Sequence, residues 1–183
     1  MMSLLSYNEL IELMEKRIIN CPLENINGTS IDITLDYDIM YENIIPTKDI
    51  VDLQHKQSPM MIRNSMRKTG GFYLSPGQFV LASSAEVFNL PNNISAEYKL
   101  KSSLARSGLQ HLLAGWCDPG WSDSKLTLEL KNVTQFHTLV LRPGMKIGQM
   151  VFWKSEPVPD IANYSATGQY NKQTSVTGNK GVR

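Results

Sequence analysis

KLTLELKNVTQFHTLVLRPGMKIGQMVFW, residues 125–153, is the stretch whose reading decides the fold. KLTLEL (125–130) alternates apolar and polar side chains with period two, the pattern of a strand with one buried face. FHTLVL (136–141) and KIGQMVFW (146–153) read as two further strands, with Arg142-Pro143-Gly144 turning the chain between them. Upstream the same grammar repeats. GFYLSPGQFVLASSAEVFNLP (71–91) reads as strand, Pro-Gly turn and strand, followed by a turn at Pro91-Asn92. SIDITL (30–35) alternates after the turn signal Asn27-Gly28. Short strands spaced by turn residues predict an all-β sandwich or barrel. Residues 36–70 are less regular, with a polar loop around HKQSPMMIRNSMRKTGG.

The two ends of the chain differ from this pattern. Residues 6–19 predict one amphipathic helix: Ser6 and Glu9 form an S-x-x-E capping box, and Leu10, Ile11, Leu13, Met14 and Ile18 recur at helical spacing. Asn20 and Pro22 end it. The tail, 156–183, is rich in Ser, Thr, Gly, Asn, Gln and Lys, and its composition predicts a segment mobile in the free protein. Two readings of it stand, a disordered end without a role or a flap that orders over a ligand.

With 183 residues, 42% of them hydrophobic, the chain is expected to form one domain with a sizeable core. A formal net charge of +1 argues against a general nucleic-acid or membrane-surface binder. Cys21 and Cys117, far apart and without metal-type spacing, point to a reducing, cytoplasmic setting. No run of about 18 apolar residues is present to span a membrane.

Several chemistries lack their motifs. No H-x-E with a downstream P-C-x-x-C occurs, so the ligands of zinc-type nucleotide deaminases are missing. Neither a G-x-x-x-x-G-K-[ST] loop nor a G-x-S-x-G elbow appears. His55, His111 and His137 form no recognisable metal set, and a structural or solvated role is the default for each. What remains is SSLARSGLQHLLAGWCDPGW (102–121) followed by TLELKN. Paired serines with an arginine at the start of a short helical turn suit a phosphate cradle. Glu129 shares a strand face with Thr127 and Lys131. It reads equally as a solvent-facing strand residue or as a pocket carboxylate placed to act as a general base. Trp116 and Trp121 either wall a pocket or pack an interface, and Cys117 reads as a small buried residue rather than a nucleophile.

INGTSIDITL (26–35), YLSPGQFVLASSAEVFNLP (73–91), SSLARSGL (102–109), AGWCDPGW (114–121), TLELKN (127–132) and LRPGMKIGQM (141–150) occur together and in order. This set resembles the dCTP deaminases of the dUTPase-like superfamily, across nearly the whole chain. The resemblance implies a mainly β fold, a distorted dUTPase-like β-barrel (jelly-roll-like) with an N-terminal α-helix over 1–20 and a flexible C-terminal tail. It implies a single domain over 1–183 whose tail, 156–183, closes over the active site, and a homotrimer with active sites at subunit interfaces. The reaction implied is zinc-independent hydrolytic deamination of dCTP to dUTP and ammonia, supplying dUTP and dUMP for thymidylate synthesis. Mg²⁺ accompanies the triphosphate, with no protein metal site, and dTTP is the expected inhibitor. Neither nucleic acid nor a membrane is an expected partner.

Carried over residue by residue, the resemblance makes Glu129 the general base. Ser102 holds the attacking water, Arg106 orders the polar cluster, and Ala114 lends backbone groups. On the substrate side it implies Ser103 at the triphosphate, Asp118 at the deoxyribose 3′-hydroxyl, and Tyr164, Tyr170 and Gln173 closing over the nucleotide. Trp116 is expected as pocket wall. Lys101 stands where the family usually has arginine, keeping the charge without the planar fork. Gln169 replaces a common tail lysine, with Lys172 and Lys180 nearby, and the segment from Leu109 to Ala114 is one residue shorter than usual. Two alternatives accompany this reading: a bifunctional dCTP deaminase/dUTPase producing dUMP and pyrophosphate, and a non-catalytic nucleotide-sensing module.

Overall fold

The structure, a computed structural model, describes residues 2–43, 50–55 and 57–181. The strands are β1 (Ser3–Leu4), β2 (Ile31–Glu42), β3 (Met61–Ser65), β4 (Phe72–Leu74), β5 (Phe79–Ser84), β6 (Ile94–Leu100), β7 (Leu109–His111), β8 (Trp116–Cys117), β9 (Thr127–Asn132), β10 (Leu139–Leu141) and β11 (Lys146–Lys154). The helices are α1 (Tyr7–Glu15), α2 (Ser102–Arg106) and α3 (Tyr164–Thr167). Nine strands share one sheet in the order β7-β9-β5-β2-β11-β6-β8, with β1 added to β11 and β3 to β2, while β4 and β10 pair separately. The fold is mainly β, as the alternation predicts.

Strand β2 curls the sheet. Its first half pairs with β11 through Ile31, Ile33 and Thr34, and its second half with β3 and β5 through Ile39, Met40 and Tyr41. Register shifts interrupt both the β2–β11 and the β2–β5 ladders, bending the strand so that it serves both halves. The alternating residues Ile31, Ile33, Leu35 and Ile39 are fully buried and meet Phe88, Leu128, Leu130 and Phe152 in the core. Both Pro-Gly turns form. Gln78 N–H donates to Ser75 O across Pro76-Gly77, and Met145 N–H to Arg142 O across Pro143-Gly144. Gly77 and Gly144 take φ of +74° and +79°, the left-handed conformation this turn requires at its third position.

The capping box is present: the Glu9 carboxylate accepts from Ser6 N–H at 2.9 Å and from its hydroxyl at 2.8 Å. The helix is shorter than the 6–19 expected. Arg17 turns the chain at φ +55°, Ile18 N–H returns to Leu13 O, and Ile19 leaves to bridge Phe88. Helical spacing alone did not show that Ile19 is claimed by a strand partner. Strand β10 likewise begins at 139 rather than 136, because Asn132 Nδ2 and the Thr134 hydroxyl both donate to His137 O and pin residues 132–137 as a turn. The region read as irregular, 36–70, contains the rest of β2 and all of β3; its residues 44–49 and 56 lie outside the described residues. Strand β3 is mostly exposed, so it carries no apolar alternation to read.

The tail is packed on the body. Val176 is fully buried and Gln173 nearly so. Arg63 on β3 donates to Ser175 Oγ and Val176 O, both at 2.8 Å, and Ser175 donates to Asp38 Oδ2 at 2.8 Å. These contacts are specific and polar, which is why a low aliphatic content did not reveal them.

Candidate active site

A cavity of about 610 Å³ opens beside β5 and β9, between the end of β2, the start of β3, the 114–121 segment and the tail. Volumes of about 300–1,000 Å³ are usual for small-molecule sites. Strand alternation builds its floor. Leu128, Leu130 and Asn132 of β9 turn into the core, which leaves Thr127 and Glu129 on the opposite face. Across the ladder Leu81 is the partner of Glu129 and Phe79 the partner of Lys131. Phe79, Leu81, Thr127 and Glu129 all line the cavity. Of the two readings of Glu129, the structure selects the pocket.

Ala114, Trp116, Asp118, Tyr164, Tyr170 and Gln173 also line this cavity. Trp116 donates its indole N–H to Asp118 Oδ1 at 2.8 Å and lies beside Trp153. Trp121 packs in the core, stacked on Phe88, and donates its indole N–H to Tyr170 O at 2.8 Å. The tail is threaded along the 122–127 segment: Lys125 N–H donates to Gln173 O, Gln173 N–H to Ser124 Oγ, and Thr177 N–H to Thr127 Oγ1. Gln173 Oε1 is sealed from solvent without a hydrogen-bond partner among the described residues, leaving an acceptor at the cavity wall.

The remaining sequence-predicted residues are elsewhere. Ser102, Ser103 and Arg106 form the exposed, five-residue α2, and none is on the cavity wall. Lys101 precedes them, but its ammonium is 2.7 Å from Asp32 Oδ1, and Lys146 approaches Oδ2 at 3.1 Å. Asp32 is buried. Burial alone would push its pKa up, but hydrogen bonds from Lys101, Lys146 and Asn27 together outweigh burial and hold the carboxyl below its usual value. One chain therefore brings together the carboxylate, the aromatic walls and the tail, and leaves the serine–arginine turn outside.

His111 is the residue that sequence reasoning passed over. It is buried on β7 opposite Leu130, with Nε2 3.2 Å from Glu129 Oε2. No sequence signal announces this contact, because it depends on the register of β7 against β9, twenty residues apart along the chain. Tyr98 on β6 packs its ring edge-on against His111 at 4.7 Å. Burial, with the charges of Glu129 and Glu86, pushes the Tyr98 phenol well up. Cys117 is buried and its thiol is likewise pushed far up, first by burial and then by Asp118 and Glu129, which leaves it protonated and poorly nucleophilic. His55 pairs with Asp52 on an exposed segment, and His137 is exposed. Among the described residues no three His, Cys, Asp or Glu side chains group as metal ligands, and no helix is long and apolar enough to cross a membrane.

Fold and site together define a curled-sheet β protein with a carboxylate in a largely apolar cavity of small-molecule size. A family model described as dCTP deaminase-like matches residues 4–155, and the chain belongs to that family. Similar curated proteins include the "dCTP deaminase, dUMP-forming" of Methanosphaerula palustris, 36% identical over 154 residues, covering 83% of this chain and 80% of that protein. The protein of the same name from Mycobacterium ulcerans is 36% identical over 155 residues, covering 84% and 79%. That from Nocardioides sp. is 40% identical over 136 residues, covering 70% and 66%. Among solved structures, the 2′-deoxycytidine 5′-triphosphate deaminase from Agrobacterium tumefaciens superposes with a TM-score of 0.64 at 17% identity and supports the fold. The match covers 84% of this chain but 48% of that one, so this chain spans about half its length.

Proposed function

We propose that this protein hydrolyses dCTP at C4, releasing ammonia, and then cleaves the resulting dUTP to dUMP and pyrophosphate. Water and dCTP give dUTP and ammonia; a second water and dUTP give dUMP and pyrophosphate. The observation that carries the first step is Glu129, a carboxylate standing on the wall of a largely apolar cavity in a chain of the dCTP deaminase-like family. Deamination needs a base that takes a proton from the attacking water and returns it to the departing amino group, a role worth about 10²–10⁴-fold. The second step is supported by the relatives, which are named for dUMP formation. Asp118, beside the sugar position implied by the resemblance, is the carboxylate for that water. This departs from the product expected first, dUTP alone.

Ser102, Ser103 and Arg106 enter this scheme from a second copy of the chain. Their exposure on α2, away from this cavity, leaves them free to complete a neighbour's site, and a homotrimer is the assembly that the resemblance implies. Mg²⁺ belongs to the substrate as the metal–triphosphate complex. Tyr164, Tyr170 and Gln173 close over the nucleotide from the tail. Incubation with dCTP and separation of products tests the reading, with ammonia, dUMP and pyrophosphate expected in equal amounts. dUTP with ammonia alone removes the second step, and no ammonia removes the first. Glu129→Gln should retain nucleotide binding and lose about 10²–10⁴ in deamination.

A further inference from the structure

We propose that His111 is the positioning residue for Glu129, holding one carboxylate oxygen so that the other faces the reacting water; the catalytic half of this rests on the function proposed above. A quarter of the Glu129 side chain is exposed, yet its Oε2 is sealed from solvent and faces His111 Nε2 at 3.2 Å. Oε1 is the carboxylate oxygen left open. The pair is within ion-pair distance but is not hydrogen-bonded, and neither atom has a hydrogen-bond partner among the described residues. Two buried polar atoms that face each other without a hydrogen bond form an incomplete contact. Bonds of this kind are commonly long in free enzymes and tighten when substrate binds.

The surroundings make His111 a fixed point. Its backbone is held on β7 opposite Leu130, and Leu112 N–H donates to Glu129 O at 3.1 Å, tying the two strands at the site. Tyr98 closes on the imidazole edge-on. Gly148 on β11 makes room for Tyr98, since a Cβ there would lie 2.1 Å from the Tyr98 ring. A carboxylate free to rotate loses its aim, and a displacement of about 1 Å in a catalytic group costs about 10²-fold.

The test has two arms. In the first, ¹⁵N-histidine spectra of the nucleotide-free protein are compared with those of Glu129→Gln. A resolved change at His111 Nε2 is expected, and identical spectra overturn the proposal. In the second, His111→Phe keeps a ring against Tyr98, and His111→Gln keeps an N–H donor near the Nε2 position. His111→Phe is expected to lose about 10–100-fold in kcat with KM little changed. His111→Gln should recover most of that loss. Equal kcat in His111→Phe and the parent, or a change in KM alone, overturns the proposal. The spectral arm does not depend on either His111 variant folding. If the parent releases no ammonia from dCTP, the proposed function fails, and the Nε2 resonance alone decides whether the contact exists.

Discussion

Asp32 offers the sharpest physical test of the fold around the serine–arginine turn. Its carboxylate sits at the start of β2 with the Lys101 ammonium 2.7 Å from Oδ1, the Lys146 ammonium 3.1 Å from Oδ2, and Asn27 donating to Oδ1 at 2.9 Å. Asp32→Asn keeps the shape, removes the charge and turns an N–H₂ group towards at least one lysine. Breaking a buried pair typically costs about 3–5 kcal/mol. Here the side chain of Asp32 is 6% exposed but those of Lys101 and Lys146 are 28% and 41% exposed, so both ammonium groups recover hydration. The expected loss at neutral pH is therefore about 2–3 kcal/mol. For a chain of this length that lowers Tm by about 4–12 °C.

The pH dependence separates this cause from a packing defect. The folded pKa of Asp32 lies below its unfolded value, so the stabilisation is complete above the unfolded pKa and disappears as pH falls through the folded one. Thermal melts of parent and Asp32→Asn, at one protein concentration, should differ most at neutral pH and converge below about pH 4. A difference that stays constant across this range, or is absent at neutral pH, refutes the electrostatic account.

Two further outcomes follow from close contacts. Gly148→Ala places a Cβ 2.1 Å from the Tyr98 ring, which is buried and cannot swing into solvent; a loss of about 1–3 kcal/mol is expected in denaturant unfolding, together with lower ammonia release as His111 is displaced. Arg63→Ala removes both guanidinium hydrogen bonds to the tail, so limited proteolysis should cut within 164–181 faster, while Tm moves by less than about 4 °C.

Much of the architecture was legible because alternation and turn chemistry are local. Pro76-Gly77 and Pro143-Gly144 specify their turns through two residues each, and KLTLEL specifies its buried face through side-chain period. Strands β1, β3, β6, β7 and β8 were not anticipated, and β1 takes Ser3–Leu4 out of the helix expected over 1–20. Leu109–His111 and Trp116–Cys117 are too short to show a period, and their pairing is made by partners far along the chain. The tail's contacts were hidden for a related reason: Arg63, Ser124 and Thr127 hold it by hydrogen bonds, which composition does not register.

The candidate site divides in the same way. By itself the sequence determined which residue types are present and in what order, enough to single out Glu129, Asp118 and the serine–arginine turn through a family resemblance. It also determined that Glu129 lies on the strand face opposite Leu128 and Leu130, because side chains alternate along any strand. Only the tertiary structure decided that this face borders a cavity and that His111 lies beneath the carboxylate. It also placed α2 outside the same chain's cavity and paired Lys101 with Asp32. Alternation is a property of consecutive residues. Register, burial and the partner of a charge belong to strands and turns that meet only after the chain has folded.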